Sequence, residues 1–289
     1  MLVRFLRCAG LALGLAASCS GKASAAALSF LSVAGANAGD CSDPKTPCRT
    51  LSYALTKTST GGEIKTLLPG NYGTATITTA ITLTGVPGSL IMVGSGAVGL
   101  TINALSSQIV SISGFTLNGQ GVGKIGVMVT KAGQLILRDC TIKNFTQTGV
   151  QLRPVTVMKF SIEDAFIANV GTYGVEVSKT GTGSATGVVH RSTIIGRGTS
   201  GIGVFLTQSA NVRVSDSLIG HFEFGIYSGA SPGNVLRVTR NTVSQNVNGV
   251  VIEKDVGAVA ETGHDNFIAG NTTDIDTING APLTNVGTQ

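Results

Sequence analysis

The chain has 289 residues, of which only 12% are charged, with 40 Gly and no Trp. Its formal charge of +5 rests on 20 Lys and Arg against 15 Asp and Glu; setting aside Arg4, Arg7 and Lys22 with an N-terminal export signal leaves 17 against 15, or +2. That balance removes the main support for nucleic-acid binding, which needs clustered positive charge, while abundant Gly, Thr, Ser, Val and Ile favour strands over helices.

Residues 1–25 read as a signal peptide: basic Arg4 and Arg7, an apolar run from Leu11 to Ala17, and the small-residue exit Ala23-Ser24-Ala25. The run is too short to span a bilayer, so no membrane span is expected after its removal, and a secreted or periplasmic location follows. A lipoprotein reading through Cys19 is the alternative. It is disfavoured because Ala16 stands where an aliphatic residue is wanted, with Leu15 one residue too early. The remainder, about 260 residues, suffices for one large all-β domain.

Segment 26–60 is expected to form an N-terminal cap. Cys41 and Cys48 bracket Cys-Ser-Asp-Pro-Lys-Thr-Pro-Cys, where an oxidising compartment favours a local disulfide, two unpaired thiols being the alternative. No CxxC or Cys/His cluster suggests zinc, and no metal site is expected. Thr50–Lys57 then sets Leu51, Ala54 and Leu55 on one helical face, ahead of a Gly61-Gly62 stop, as a short capping helix would.

From residue 61 to 275 the sequence repeats with a period of about 25 residues. A strand opening with Gly and an aliphatic residue recurs at Gly149, Gly174, Gly201, Gly225 and Gly249. A second aliphatic column runs Ile112, Leu137, Ile162, Val189, Val214, Val238, and a third runs Leu117, Ile142, Ile167, Ile194, Ile219, Val243, Ile268. Alternation within each segment marks half-buried strands, and stacked repeats would line these residues inside a tube. The fold class is therefore all-β, a single-stranded parallel β-helix. Between the second and third columns stand small or amide residues, Cys140, Ala165, Ser192, Ser217, Asn241 and Asn266, suited to a tight turn whose side chains bond along the axis. Cys140 accordingly reads as a packed small hydrophobe. Residues 276–289 read as a polar, aperiodic tail.

Several of these residues carry a resemblance. Cys48-Arg49-Thr50-Leu51, Gly61-Gly62-Glu63-Ile64, Leu68-Pro69-Gly70-Asn71-Tyr72-Gly73 and the turns Asn241-Thr242-Val243 and Asn266-Phe267-Ile268 resemble bacterial right-handed parallel β-helix proteins of the pectin-lyase-like superfamily. The resemblance covers nearly all of the mature chain. It implies the right-handed fold and says little about activity, since members include polysaccharide lyases, glycoside hydrolases, epimerases, tailspike-like binders and many uncharacterised secreted proteins. The polygalacturonase-like signatures Asn-Thr-Asp, Asp-Asp, Gly-His-Gly and Arg-Ile-Lys are absent, as is Asp-Pro-His-Asp, and Arg153-Pro154 matches only a fragment of a lyase Arg-x-Pro-x-x-Arg.

Immediately before the small-residue column runs a charged one, Asp139, Asp164, Arg191, Asp216, Arg240, Asp265, with Arg138, Glu163, His190 and His264 beside it. Coils stack about 4.8 Å apart, so these side chains form one ladder. Two functions are consistent with it. In the first, the protein is a non-catalytic solenoid that binds polysaccharide or a cell-envelope partner, and the alternating acids and arginines are a self-compensating salt ladder. In the second, it is a divergent polysaccharide lyase or hydrolase acting on an acidic polymer. Asp139, Asp164, His190 and Arg191 would then be catalytic, and Glu163, Asp216, His221, Arg240 and Asp265 would hold substrate. His221 enters through Gly220-His221-Phe222-Glu223-Phe224, where aromatics flank a histidine and a carboxylate. No cofactor is expected, with calcium admissible only in the lyase reading, and the protein is expected to be a monomer.

Overall fold

The computed structural model describes residues 25–253, 259–263, 265–278 and 283–285. Residues 1–24, where the export signal and Cys19 are expected to act, and His264 lie outside the described residues. Each coil contributes three strands, which stack on their counterparts in parallel, giving among the described residues one 18-stranded and one nine-stranded sheet. The larger sheet carries two ladders joined at a sharp corner. The first ladder includes Gln134–Arg138, Val157–Glu163, Ser184–His190, Ala210–Ser215 and Val235–Thr239. The second is built of short strands such as Thr141–Lys143, Phe166–Ala168, Thr193–Ile195, Leu218–Gly220 and Thr242–Ser244. The nine-stranded sheet is the third ladder, with Val98–Asn103, Ile125–Lys131, Thr148–Leu152, Tyr173–Val177, Ile202–Leu206, Phe224–Ser228 and Asn248–Glu253 among its strands. The fold is the expected right-handed parallel β-helix.

The aliphatic columns fall in register as read. Ile112, Leu137, Ile162, Val189, Val214 and Val238 pair one to the next in the first ladder. Leu117 through Ile268 do the same in the second. The glycine column needs one correction. Val175 pairs with Val204, and Val204 with Ile226, so Gly203 rather than Gly201 stacks on Gly174 and Gly225. Gly201 has a φ of +79° and belongs to the turn before the strand, where this coil carries extra residues. The stacked glycines are needed for closeness: a Cβ on Gly174 would meet the Gly203 carbonyl oxygen at 2.5 Å, and one on Gly203 would meet that of Gly225 at 2.5 Å.

The corner between the first and second ladders explains both the charged and the small columns. Asp139, Asp164, Arg191, Asp216 and Arg240 all take left-handed backbone conformations, with φ between 44° and 53°. This turns the chain through the corner and throws the side chain outward. The next residue points in. Cys140, Ser192, Ser217 and Asn241 are buried, and the expected axial bonding is present. The Ser192, Ser217, Asn241 and Asn266 side-chain oxygens accept from the backbone N–H of Ala165, Ser192, Ser217 and Asn241, respectively. A second ladder of this kind runs at the next corner, where Asn246 accepts from Phe222 N–H and Asn271 from Asn246 N–H. Burial pushes the Cys140 thiol up to about 12, which keeps it a neutral packing group.

At the N-terminal end, Thr50 caps the helix Leu51–Lys57, accepting from Tyr53 N–H. Leu51 and Ala54 are fully buried and Leu55 packs beside them, so the helix closes the first coil as read. It stops earlier than the glycines, because Thr58 already opens the strand Thr58–Thr66 and Gly61-Gly62 lie within it. Cys41 and Cys48 form the expected disulfide. The ladder itself reaches into the cap segment, since Ala26–Leu31 pairs with Thr58–Thr66. At the far end Thr273–Ile278 and Leu283–Asn285 continue the third and first ladders beyond residue 275.

Candidate functional site

The charged column is an interlocked chain of ion pairs. Arg191 grips Asp164 through two bonds of 2.8 Å, Nε to Oδ1 and Nη2 to Oδ2. Arg240 grips Asp216 in the same way, at 2.6 and 2.9 Å. His190 joins the two pairs: its Nε2 lies 2.9 Å from Arg191 Nη1, and its Nδ1 lies 2.9 Å from Ser215 Oγ and 3.2 Å from Asp216 Oδ2. Arg240 also reaches Asp265 through its backbone N–H and more distantly through Nη1, 3.9 Å from Oδ2. Glu163 accepts from Ser161 and from Arg138, the latter at 2.9 Å. The Arg191 and Arg240 guanidinium groups hold Asp164 and Asp216 below the usual carboxylate range. For Glu163 the Ser161 hydroxyl is the larger cause and Arg138 the next.

Of the residues read as catalytic, Asp164, His190 and Arg191 are therefore joined, while Asp139 is exposed one coil away and makes no ion pair among the described residues. His221 is exposed at a left-handed turn with φ 62°. Its neighbours diverge, because Phe222 is buried in the core and Phe224 lies on the third ladder. Calcium does not fit here: both oxygens of Asp164 and of Asp216 are taken by guanidinium groups. Among the described residues no three His, Cys, Asp or Glu side chains converge as a metal site.

The concave surface lies elsewhere, on the outer face of the third ladder. Three depressions of about 510, 290 and 430 Å³ share lining residues and so form one groove. It starts at Val98, Ile125 and Thr148, at the first residues of three successive strands, and passes Gln151, Arg153, Tyr173 and Glu176. Phe205, Lys179 and Gln208 carry it to Ser231 and Pro232 in the loops after the strands. The groove thus crosses the ladder obliquely over several coils.

Its floor holds a sealed carboxylate. Glu176 has a side-chain exposure of 1%, and Arg153 lies against it with Nη2 at 2.6 Å and Nε at 2.7 Å from Oε1. Gln151 Nε2 donates to Oε2 at 2.8 Å and Ser178 Oγ to Oε1 at 3.2 Å. A run of half-buried aromatics follows. Tyr173 and Phe205 stack with centroids 5.1 Å apart and planes 11° from parallel, Phe205 meets Tyr227 at 5.7 Å, and Tyr227 meets Phe224 edge-on at 5.2 Å. The Tyr227 hydroxyl donates to Glu253, whose other oxygen accepts from Ala230 N–H at 2.9 Å, tying the loop at the groove's end to the sheet.

Reading the sequence for charge led to the corner ladder and missed this surface. The signal was available in the glycine-led strands, whose outward positions are Met128, Gln151, Glu176, Phe205, Tyr227 and Val251 in register. Aligning on Gly201 displaced Phe205 from that column and hid the aromatic run.

Residues 98–273 match the family model described as "Right handed beta helix region", and the chain belongs to that family. Two solved structures share the fold. A pectate lyase, Pel9A, is 12% identical with a TM-score of 0.62, over 89% of this chain and 79% of its own. An alginate lyase from Paenibacillus sp. str. FPU-7 is 15% identical with a TM-score of 0.60, over 83% of this chain and 91% of its own. No curated protein sequence matches the chain significantly. At such identities the likeness is one of fold, and the resemblance read from the turn and strand motifs holds at that level. Among the described residues no helix is long and apolar enough to cross a membrane.

Proposed function

We propose that the protein is an exported, non-catalytic solenoid that binds a polysaccharide chain in the groove on the third ladder. The observation that carries this reading is the stacked pair Tyr173 and Phe205 at the groove's centre, prolonged by Tyr227. The uncovered edges of this aromatic run give a sugar ring an apolar surface to pack on, and the neighbouring Thr172, Thr207 and Gln208 supply hydroxyl and amide partners for its hydroxyl groups. A groove crossing several equally spaced coils also suits a polymer with its own repeat. The binding role is favoured over turnover because the acids nearest to hand are engaged: Glu176 by Arg153, Gln151 and Ser178, and Asp164 and Asp216 by arginines. The disulfide and the export signal fit an extracellular or periplasmic setting.

The test is calorimetric titration with soluble polysaccharides, paired with an absorbance assay for unsaturated products and a reducing-end assay. Binding without product is expected, and Phe205→Ala should weaken it about tenfold, equivalent to about 1.4 kcal/mol. Product release that disappears in Asp164→Ala would instead establish the lyase reading on the corner ladder.

A further inference from the structure

The charges in the groove are unevenly presented. Its charged lining residues are Lys124, Arg153, Glu176 and Lys179. The one acid is sealed at 1% side-chain exposure, whereas the Arg153 side chain is 50% exposed. Both Arg153 contacts to Glu176 are made through Nε and Nη2, and among the described residues Nη1 has no protein acceptor. Glu176 is in turn fixed by Gln151, its ladder neighbour on the preceding coil, and by Ser178, two residues on in its own coil. A guanidinium clamped along one edge presents its remaining donors in a set direction, which suits a planar or tetrahedral oxyanion.

We infer that Arg153 reads an anionic substituent on the bound polymer, a uronate carboxylate or a sulfate ester, and that Glu176 is the positioning residue that aims it. The inference rests on the groove reading above. Lys124 and Lys179 lie along the same groove and add attraction without direction, each being a point charge on a flexible stem.

Three probes separate the possibilities: polygalacturonate for carboxylate, carrageenan for sulfate ester, and uncharged mannan. They are titrated at one fixed ionic strength into the wild-type protein, Arg153→Gln, Arg153→Lys and Glu176→Gln, each first checked for folding by thermal melting. At least one polyanion should bind about tenfold or more tighter than mannan, the stronger of the two naming the anion. Arg153→Gln should erase that preference, so that polyanions and mannan bind the variant alike. Arg153→Lys should keep the charge yet lose most of the preference, and Glu176→Gln should reduce it through lost aim. Mannan binding as tightly as both polyanions, or a preference that survives Arg153→Gln, overturns the inference while leaving the groove reading intact. Failure of all three polymers to bind, or binding indifferent to Phe205→Ala, overturns the groove reading and the inference with it.

Discussion

Gly203 is among the most closely packed positions in the glycine column of the third ladder. A Cβ there would lie 2.5 Å from both the Gly225 carbonyl oxygen and Ile219 Cγ2, which leaves neither the coil spacing nor the core able to yield. Gly203→Ala should cost about 1–3 kcal/mol by overpacking. Gly94→Ala, where an added Cβ meets nothing within 4 Å, should stay within about 0.5 kcal/mol of wild type. Chemical denaturation of both variants checks this, and equal stabilities would contradict the register. Asn241 is a second such position, being 2% exposed, accepting from Ser217 N–H and donating to Val214 O. Asn241→Ala strands a buried donor and a buried acceptor, at about 1–3 kcal/mol for each group left unpaired. The small-residue column was legible in the sequence because such corners admit few residue types. The Gly201 misreading arose because glycine serves two purposes here, close packing at Gly203 and a positive φ at Gly201, and composition does not distinguish them.

At the scale of elements, the corner between the first two ladders is locked from inside by the amide and serine ladder and from outside by ion pairs. The outer lock depends on pH in a defined direction. Arg191 and Arg240 keep Asp164 and Asp216 ionised to lower pH in the fold than in the unfolded chain. The unfolded chain therefore takes up protons first as pH falls. The stabilisation is complete above the ordinary carboxyl value and is lost as pH drops through the lowered folded one. Melting temperature followed from pH 7 to pH 2.5 should fall less steeply in an Asp164→Asn, Asp216→Asn double variant than in wild type. High salt should narrow the difference, because these side chains are partly exposed. Identical slopes would mean that the pairs add nothing to stability. The alternation of acids and arginines predicted these partners coil by coil, since neighbours in a parallel ladder stand one period apart. Their joint engagement is also what directs attention to another face for binding.

Across the whole molecule, the fold was legible because the coils between Val98 and Glu253 repeat the same demands: inward aliphatics, a left-handed corner, a close-packed glycine. The groove was harder to read because it follows no single column. It forms where outward residues of successive coils, Gln151, Glu176 and Phe205, meet loops after the strands, and its shape depends on the extra turn residues before Ile202–Leu206. The central claim is that this surface, and not the charged corner, meets the polymer. Hydroxyl-radical footprinting with and without a saturating oligosaccharide tests it in one measurement, since both surfaces carry oxidisable side chains. Protection of Tyr173, Phe205 and Tyr227, with His190 and His221 oxidised as before, is the predicted result; protection centred on His190, with the three aromatics unchanged, would contradict it.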